Sequence, residues 1–217
     1  NLPCTVYVPK TIPLQKQQAI KALGAKLIIQ GNNLDESILL AQSFASTNGG
    51  LFIHPFGDLD IIHGQGTIAL EMFEANKNID TLLIAIGGGG LMCGMALAAK
   101  SIKPSIRLIG VEPTGCPTLY NSLKAGHVVP VENIQTTAGT LAIRETTNRN
   151  FNIIKNLVDE IVLVSDQEMQ EAQNWLLKEM SLNAEMAGVA SLAAFLQGKI
   201  LFKPAESLGI LICGSGI

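Results

Sequence analysis

Thr81-Leu82-Leu83-Ile84-Ala85-Ile86-Gly87-Gly88-Gly89-Gly90-Leu91 is the stretch whose reading decides the fold. Its apolar first half, without a charge, predicts a short strand buried on both faces. Four glycines follow, and a helix is predicted over 91–102. Glycine loses more backbone freedom on folding than any other residue, so four in a row need an offsetting role. A strand–glycine–helix junction presents unencumbered N–H groups beside the positive end of a helix dipole, which suits a phosphate. A tight turn with close helix–strand packing explains one or two glycines but poorly explains four.

The wording narrows the choice of phosphate. A Walker A loop needs Gly-Lys-Ser/Thr, and Leu91-Met92 stands there instead. The dinucleotide fingerprint G-x-G-x-x-G fails in every register, because Met92, Cys93 or Leu91 occupies a required glycine. Glu112, closing the next predicted strand, stands about where a ribose-binding acid would, so a dinucleotide-binding domain stays open as the alternative.

Outward from this junction, strands and helices alternate. Strands are predicted over 4–9, 26–30, 50–54, 106–111, 160–164 and 208–213. Helices are predicted over 14–23, 34–46, 64–75, 151–157, 166–180 and 187–197. Alternation of this kind implies parallel βαβ units, hence an α/β fold of open, mostly parallel sheets with flanking helices. Ligands of such sheets collect at the carboxyl ends of the strands.

Composition excludes several classes. With 47% hydrophobic and 15% charged residues, the chain buries enough surface to offset its ordering entropy. A net charge of −3 without any basic run argues against nucleic-acid binding. No apolar stretch reaches the roughly 18 to 20 residues of a membrane span, and no signal peptide opens the sequence. Cys4, Cys93, Cys116 and Cys213 form no CxxC pair and no ligand cluster, so a reducing, cytoplasmic setting and no bound metal are expected.

Three more segments carry a resemblance. His54-Pro55-Phe56-Gly57-Asp58-Leu59-Asp60 leads into Gly64-Gln65-Gly66-Thr67-Ile68-Ala69-Leu70-Glu71, and Val111-Glu112-Pro113 follows the glycines. In this order and wording the chain resembles the threonine/serine dehydratase and serine racemase family of pyridoxal-phosphate (PLP) enzymes, of fold type II (tryptophan synthase β-like). Ala184-Glu185-Met186-Ala187-Gly188-Val189 is similar to the family's Ala-Glu-Pro-Ser-Gly-Ala, and Ile212-Cys213-Gly214-Ser215-Gly216 to its closing Ser-Gly-Gly-Asn loop.

The resemblance implies a cofactor, pyridoxal 5'-phosphate, and a place for it. Gly87, Gly88, Gly89 and Gly90, with Leu91, would cradle its phosphate through backbone N–H groups. Cys213 would stand beside the pyridine nitrogen, as the cysteine of serine dehydratases does. A thiol cannot hold that nitrogen protonated as a carboxylate would, which weakens the ring as an electron sink and favours prompt β-elimination. Without the resemblance, Cys213 reads as an ordinary buried small residue.

The chain also departs from the family. The Ser-Phe-Lys type segment, whose lysine holds the cofactor covalently and shuttles the α-proton, is absent, as is the Ser-Gly-Asn-His loop that binds the substrate carboxylate. Lys10, Lys16, Lys21 and Lys26 lack that setting, so no catalytic residue is assigned. Ala138-Gly139-Thr140 stands for the common Ala-Asp-Gly. Some members bind a metal through the acid of Val-Glu-Pro and a second acid a few residues later; here Cys116-Pro117-Thr118 supplies no carboxylate, and Glu112 is expected to be a surface or strand-end group.

Sequence is therefore expected to be missing at both ends, with 1–62 the remainder of a small domain and 63–217 most of a large PLP-binding domain. The expected activity is PLP-dependent deamination of L-threonine or L-serine to a 2-oxo acid and ammonia, by a homo-oligomer acting on a small amino acid. This stretch alone would be inactive. The rival is a degenerate homologue that binds phosphate or PLP weakly.

Overall fold

The computed structural model describes residues 2–214. By backbone contacts the chain divides into two compact units, Asn1–His54 and Pro55–Gly216. Among the described residues no helix is long and apolar enough to cross a membrane.

The smaller unit carries strand β1 (Thr5–Val8), helix α1 (Leu14–Ala22), strand β2 (Lys26–Ile29) and helix α2 (Leu34–Asn48). The two strands pair in parallel, Thr5 opposite Lys26 and Val8 opposite Ile29. Helix α2 starts where Asn33 accepts from the Glu36 amide at 2.9 Å, and it ends at Gly49, whose φ of 67° is left-handed. The strand expected over 50–54 is not formed. Leu51 is 88% exposed and Ile53 57%, and no described strand pairs with them to supply the hydrogen bonds that a sheet requires.

The larger unit opens with helix α3 (Leu59–Ala75), then β3 (Thr81–Ala85), α4 (Gly90–Ile102) and β4 (Arg107–Pro113). Next come α5 (Thr118–Ala125), α6 (Asn148–Leu157), β5 (Glu160–Val164) and α7 (Asp166–Met180). A 3-10 turn at Met186–Val189, α8 (Ala190–Leu196) and β6 (Leu208–Ile210) complete it. Position 62 falls within α3, which begins five residues before the expected Gly64 and accommodates both Gly64 and Gly66. Gly66 is needed there, since a Cβ on it would come within 3.0 Å of the Gly94 carbonyl of α4.

All four strands of this sheet run parallel in the order β5-β4-β3-β6, with Ala85 opposite Val111 and Leu83 opposite Ile210. The central strand is buried along its whole length. Its period of two divides the core. Leu82, Ile84 and Ile86 pack with α3, α4 and α6, whereas Leu83 and Ala85 pack with α7 and α8. Burying each such Leu or Ile contributes roughly 1.5–3 kcal/mol. An apolar layer on both faces leaves the strand ends as the places where polar chemistry can gather.

Candidate functional site at the carboxyl ends of β3 and β6

At the end of β3 the chain turns through 86–89 into α4. Gly89 sits at the N-cap with φ 92° and, having no side chain, makes no cap bond to the helix itself. Among the described residues, none of the amides of Gly87, Gly88, Gly89, Gly90 or Leu91 donates to a backbone carbonyl outside the helix. Gly88, Gly89 and Gly90 are buried, while Gly87 and Leu91 are half-buried. The missing side chains have tenants. The Phe56 ring fills the space a side chain on Gly88 would need, and a Cβ on Gly90 would lie 2.7 Å from the Phe56 carbonyl oxygen.

Buttressing comes from α6 and the residues before it. The Asn150 side-chain amide donates to the carbonyls of Gly88 and Phe56, each at 2.9 Å. Thr146 Oγ1 donates to the same Gly88 carbonyl at 2.9 Å, and Arg149 Nη1 to the Gly57 carbonyl at 2.8 Å. The Cys93 thiol faces the Asn150 carbonyl at 3.6 Å, and burial pushes it up to about 12, so it is an inert structural thiol. Sequence reasoning missed Phe56, Thr146 and Asn150 as part of this site. Phe56 lay within a quoted motif, but nothing in its spacing connects it to Gly88.

Strand β6 runs beside β3, and the chain beyond it reaches Cys213 on the same side of the sheet. The Leu211 amide donates to Leu83 at 3.2 Å, and the Cys213 amide to Gly188 at 3.0 Å. Cys213 is half-buried. Burial, and after it the negative charge of Glu185, raises the Cys213 thiol above its ordinary range, so it is a neutral thiol at physiological pH. Ser215 and Gly216 of the closing motif lie outside the described residues.

A third loop joins the other two. Asp166, at the start of α7, accepts from the Thr136 and Thr137 hydroxyls and from the Thr137 amide, each at 2.6 Å. Thr140 then donates to Glu185 at 2.9 Å. A Cβ on Gly87 would meet the Thr140 carbonyl at 2.8 Å. The fold thus links the glycine turn, Thr140 and Glu185 with the Cys213 loop, although they are up to 126 positions apart in sequence.

Glu112 stands at a strand end, as expected, but not at the surface. It is fully buried at the end of β4, where its two carboxylate oxygens accept from the Leu119 and Tyr120 amides at 2.8 Å each. Burial pushes its carboxyl up to about 8, with the amides of Leu119, Tyr120 and Thr118 pulling the other way. Its buried carboxyl group caps α5 and cannot serve as the exposed ribose acid that a dinucleotide site needs. Thr118, nearby, donates to the Ile143 carbonyl, as does the Cys116 thiol at 3.3 Å.

Two lysines are fixed at the opposite, amino end of the sheet. Lys100 binds the Ile106 carbonyl and Asp159, and Lys103 the Ile79 carbonyl and Asp80.

Comparison with known proteins bears on this arrangement. Residues 1–214 match the family model described as pyridoxal-phosphate dependent enzyme. The chain is similar to an L-threonine ammonia-lyase of Thermotoga maritima, at 35% identity over 217 residues, covering 100% of this chain and 54% of that protein. Its fold is similar to that of maize serine racemase, with a TM-score of 0.93 at 29% identity, covering 100% of this chain and 67% of that one. It is likewise similar to threonine deaminase isoform 2 of Solanum lycopersicum, with a TM-score of 0.90 at 30% identity and 64% of that chain covered. The chain spans about half the length of the first two curated relatives, 54% of each.

Proposed function

The chain belongs to the pyridoxal-phosphate dependent enzyme family, and on that premise we propose that the full-length protein deaminates L-threonine or L-serine to a 2-oxo acid and ammonia. The observation that carries the proposal is the pairing of an amide-lined glycine turn with a neutral thiol, Cys213, at the ends of adjacent parallel strands. The names of the relatives support the reaction class.

The residues present fit the cofactor. A phosphate ester needs several N–H donors and no side chain in the way; Gly87, Gly88, Gly89 and Gly90 carry no side chain, and among the described residues neither their amides nor that of Leu91 donate to a backbone carbonyl outside the helix. When bound, the cofactor supplies the electron sink that stabilises negative charge at the substrate Cα. Cys213 would stand beside the ring nitrogen as a neutral partner, limiting how long that charge persists and favouring loss of the β-hydroxyl. Thr140, tied to Glu185 and close to Gly87, would lie near the cofactor. No catalytic acid or base is assigned among residues 1–217.

Further parts of the proposal concern organisation. The two contact units, which part at 54/55, support a division into a small-domain part and a PLP-binding part; a boundary at 62/63 would cut helix α3. Exposed apolar side chains on α3 and α4, among them Leu70 and Leu97, support self-association. The four free thiols support a reducing compartment such as the cytoplasm.

The test is an assay of the full-length gene product with PLP, measuring ammonia and 2-oxo acid from L-threonine and L-serine. Equal amounts of both products, lost in Cys213→Ala or Gly88→Asp variants, are expected. Absence of both products from either amino acid, in a protein that binds PLP, overturns the assignment.

A further inference from the structure

We propose that Asn150, seconded by Thr146, is a positioning residue: it fixes the Gly88–Gly89 peptide so that the Gly89 N–H faces the phosphate. The inference rests on the cradle reading above and assigns a cause to its geometry.

The argument starts from peptide planarity. In a trans peptide the C=O of one residue and the N–H of the next point in opposite directions, and no cis peptide occurs among the described residues. The Gly88 carbonyl accepts from both Asn150 Nδ2 and Thr146 Oγ1, each at 2.9 Å, which uses both of its lone pairs. With that carbonyl held toward α6, the Gly89 N–H is directed away from it. Gly89 needs this hold because a glycine at φ 92° has no side chain of its own to resist rotation.

A second observation shows that stability alone does not select Asn150. The residue is fully buried, and its Oδ1 has no hydrogen-bond partner among the described residues. Both Nδ2 hydrogens go to carbonyls, of Phe56 and Gly88, so turning the amide over would set oxygen against oxygen. A buried acceptor left unpaired costs free energy that an apolar residue of similar size avoids. The donors offset part of that cost by joining two segments: the turn carrying Phe56 and the glycine turn. Gly89 also packs on this side chain, since a Cβ there would lie 3.4 Å from Asn150 Cβ.

The experiment compares pyridoxine 5'-phosphate with pyridoxine in the full-length protein freed of cofactor. Neither ligand carries an aldehyde, so lysine chemistry does not enter, and their affinity ratio isolates the phosphate. In Asn150→Leu the ratio is expected to fall about tenfold, the effect of one misdirected hydrogen bond to a charged group. Pyridoxine affinity should stay unchanged, which a general loosening of the fold would not allow. A wild-type ratio retained in a folded Asn150→Leu protein overturns the inference. Should that variant fail to fold, Thr146→Val is read in the same way, with a smaller fall expected and an unchanged ratio counting as refutation. No preference for the phosphorylated ligand in the unmodified protein would instead sink the cradle reading itself.

Discussion

The ring of Phe56 stands where a side chain on Gly88 would have to go. Two segments 32 positions apart are thereby locked together, and one of the four glycines acquires a packing reason beside the phosphate-binding role proposed for it. Gly88→Ala should destabilise the protein by about 1–3 kcal/mol, the cost of overpacking, and reduce pyridoxine 5'-phosphate binding. Urea unfolding measures the first and calorimetric titration the second. Adding Phe56→Ala should restore part of the stability, and strictly additive losses would show that the two residues do not compete for that space.

Glu112 gives a pH signature. Its carboxyl is raised from 4.5 to about 8, chiefly by burial. In the window between these values the folded protein holds a proton that the unfolded chain has lost. Stability from this group is therefore complete below about 4.5 and falls as pH rises through about 8, by up to about 1.4 kcal/mol per pH unit. Glu112→Gln should remove that slope. Parallel urea curves for both proteins at pH 5, 6, 7 and 8 check it, and identical slopes would contradict the burial argument.

The charge of Glu185 helps to keep Cys213 protonated. In Glu185→Gln the thiol should titrate at lower pH and be alkylated faster at pH 8. Mass spectrometry of iodoacetamide-treated protein resolves Cys213 from the exposed Cys4 and from the buried Cys93 and Cys116. Cys93, pushed up to about 12, should remain unmodified in the native protein. A slower Cys213 reaction in the variant would remove Glu185 as a source of the shift.

Packing in the central strand can be tested without any ligand. Leu83 is fully buried between β4, β6 and α8, whereas Leu70 on α3 is half exposed. Leu83→Ala should cost about 2–5 kcal/mol and Leu70→Ala about 0.5 kcal/mol or less in a monomer, by chemical denaturation. A comparable loss at Leu70 would mean that this face is covered in solution.

Local signals carried much of this structure. The uncharged run at 81–86 announced a strand buried on both sides, and the alternation around it announced a parallel sheet. Helix α7 forms over the expected residues, and Ser165 and Glu168, whose reciprocal bonds make a capping box at its start, are a local signal that sequence reasoning missed. Elsewhere local signals misled. Leu51-Phe52-Ile53 has strand composition but no partner, and Gly64 looked like a helix boundary although α3 passes through it. Helix α5 went unseen because its amphipathic run is only eight residues long and its start is capped by Glu112.

By itself the sequence determined the α/β class and the family to which the chain belongs, and it marked the glycine turn for which phosphate binding is proposed, because these rest on residues close together along the backbone. Only the tertiary structure decided that Asn150 and Thr146 hold the Gly88 carbonyl, that Glu112 is buried as a helix cap, and that Glu185 bears on Cys213. Each of these joins side chains to groups that lie near them only once the strands have paired in register. Hydrogen bonds and charge effects act over a few ångströms, and no pattern along the chain states which distant residues the fold will bring within that reach.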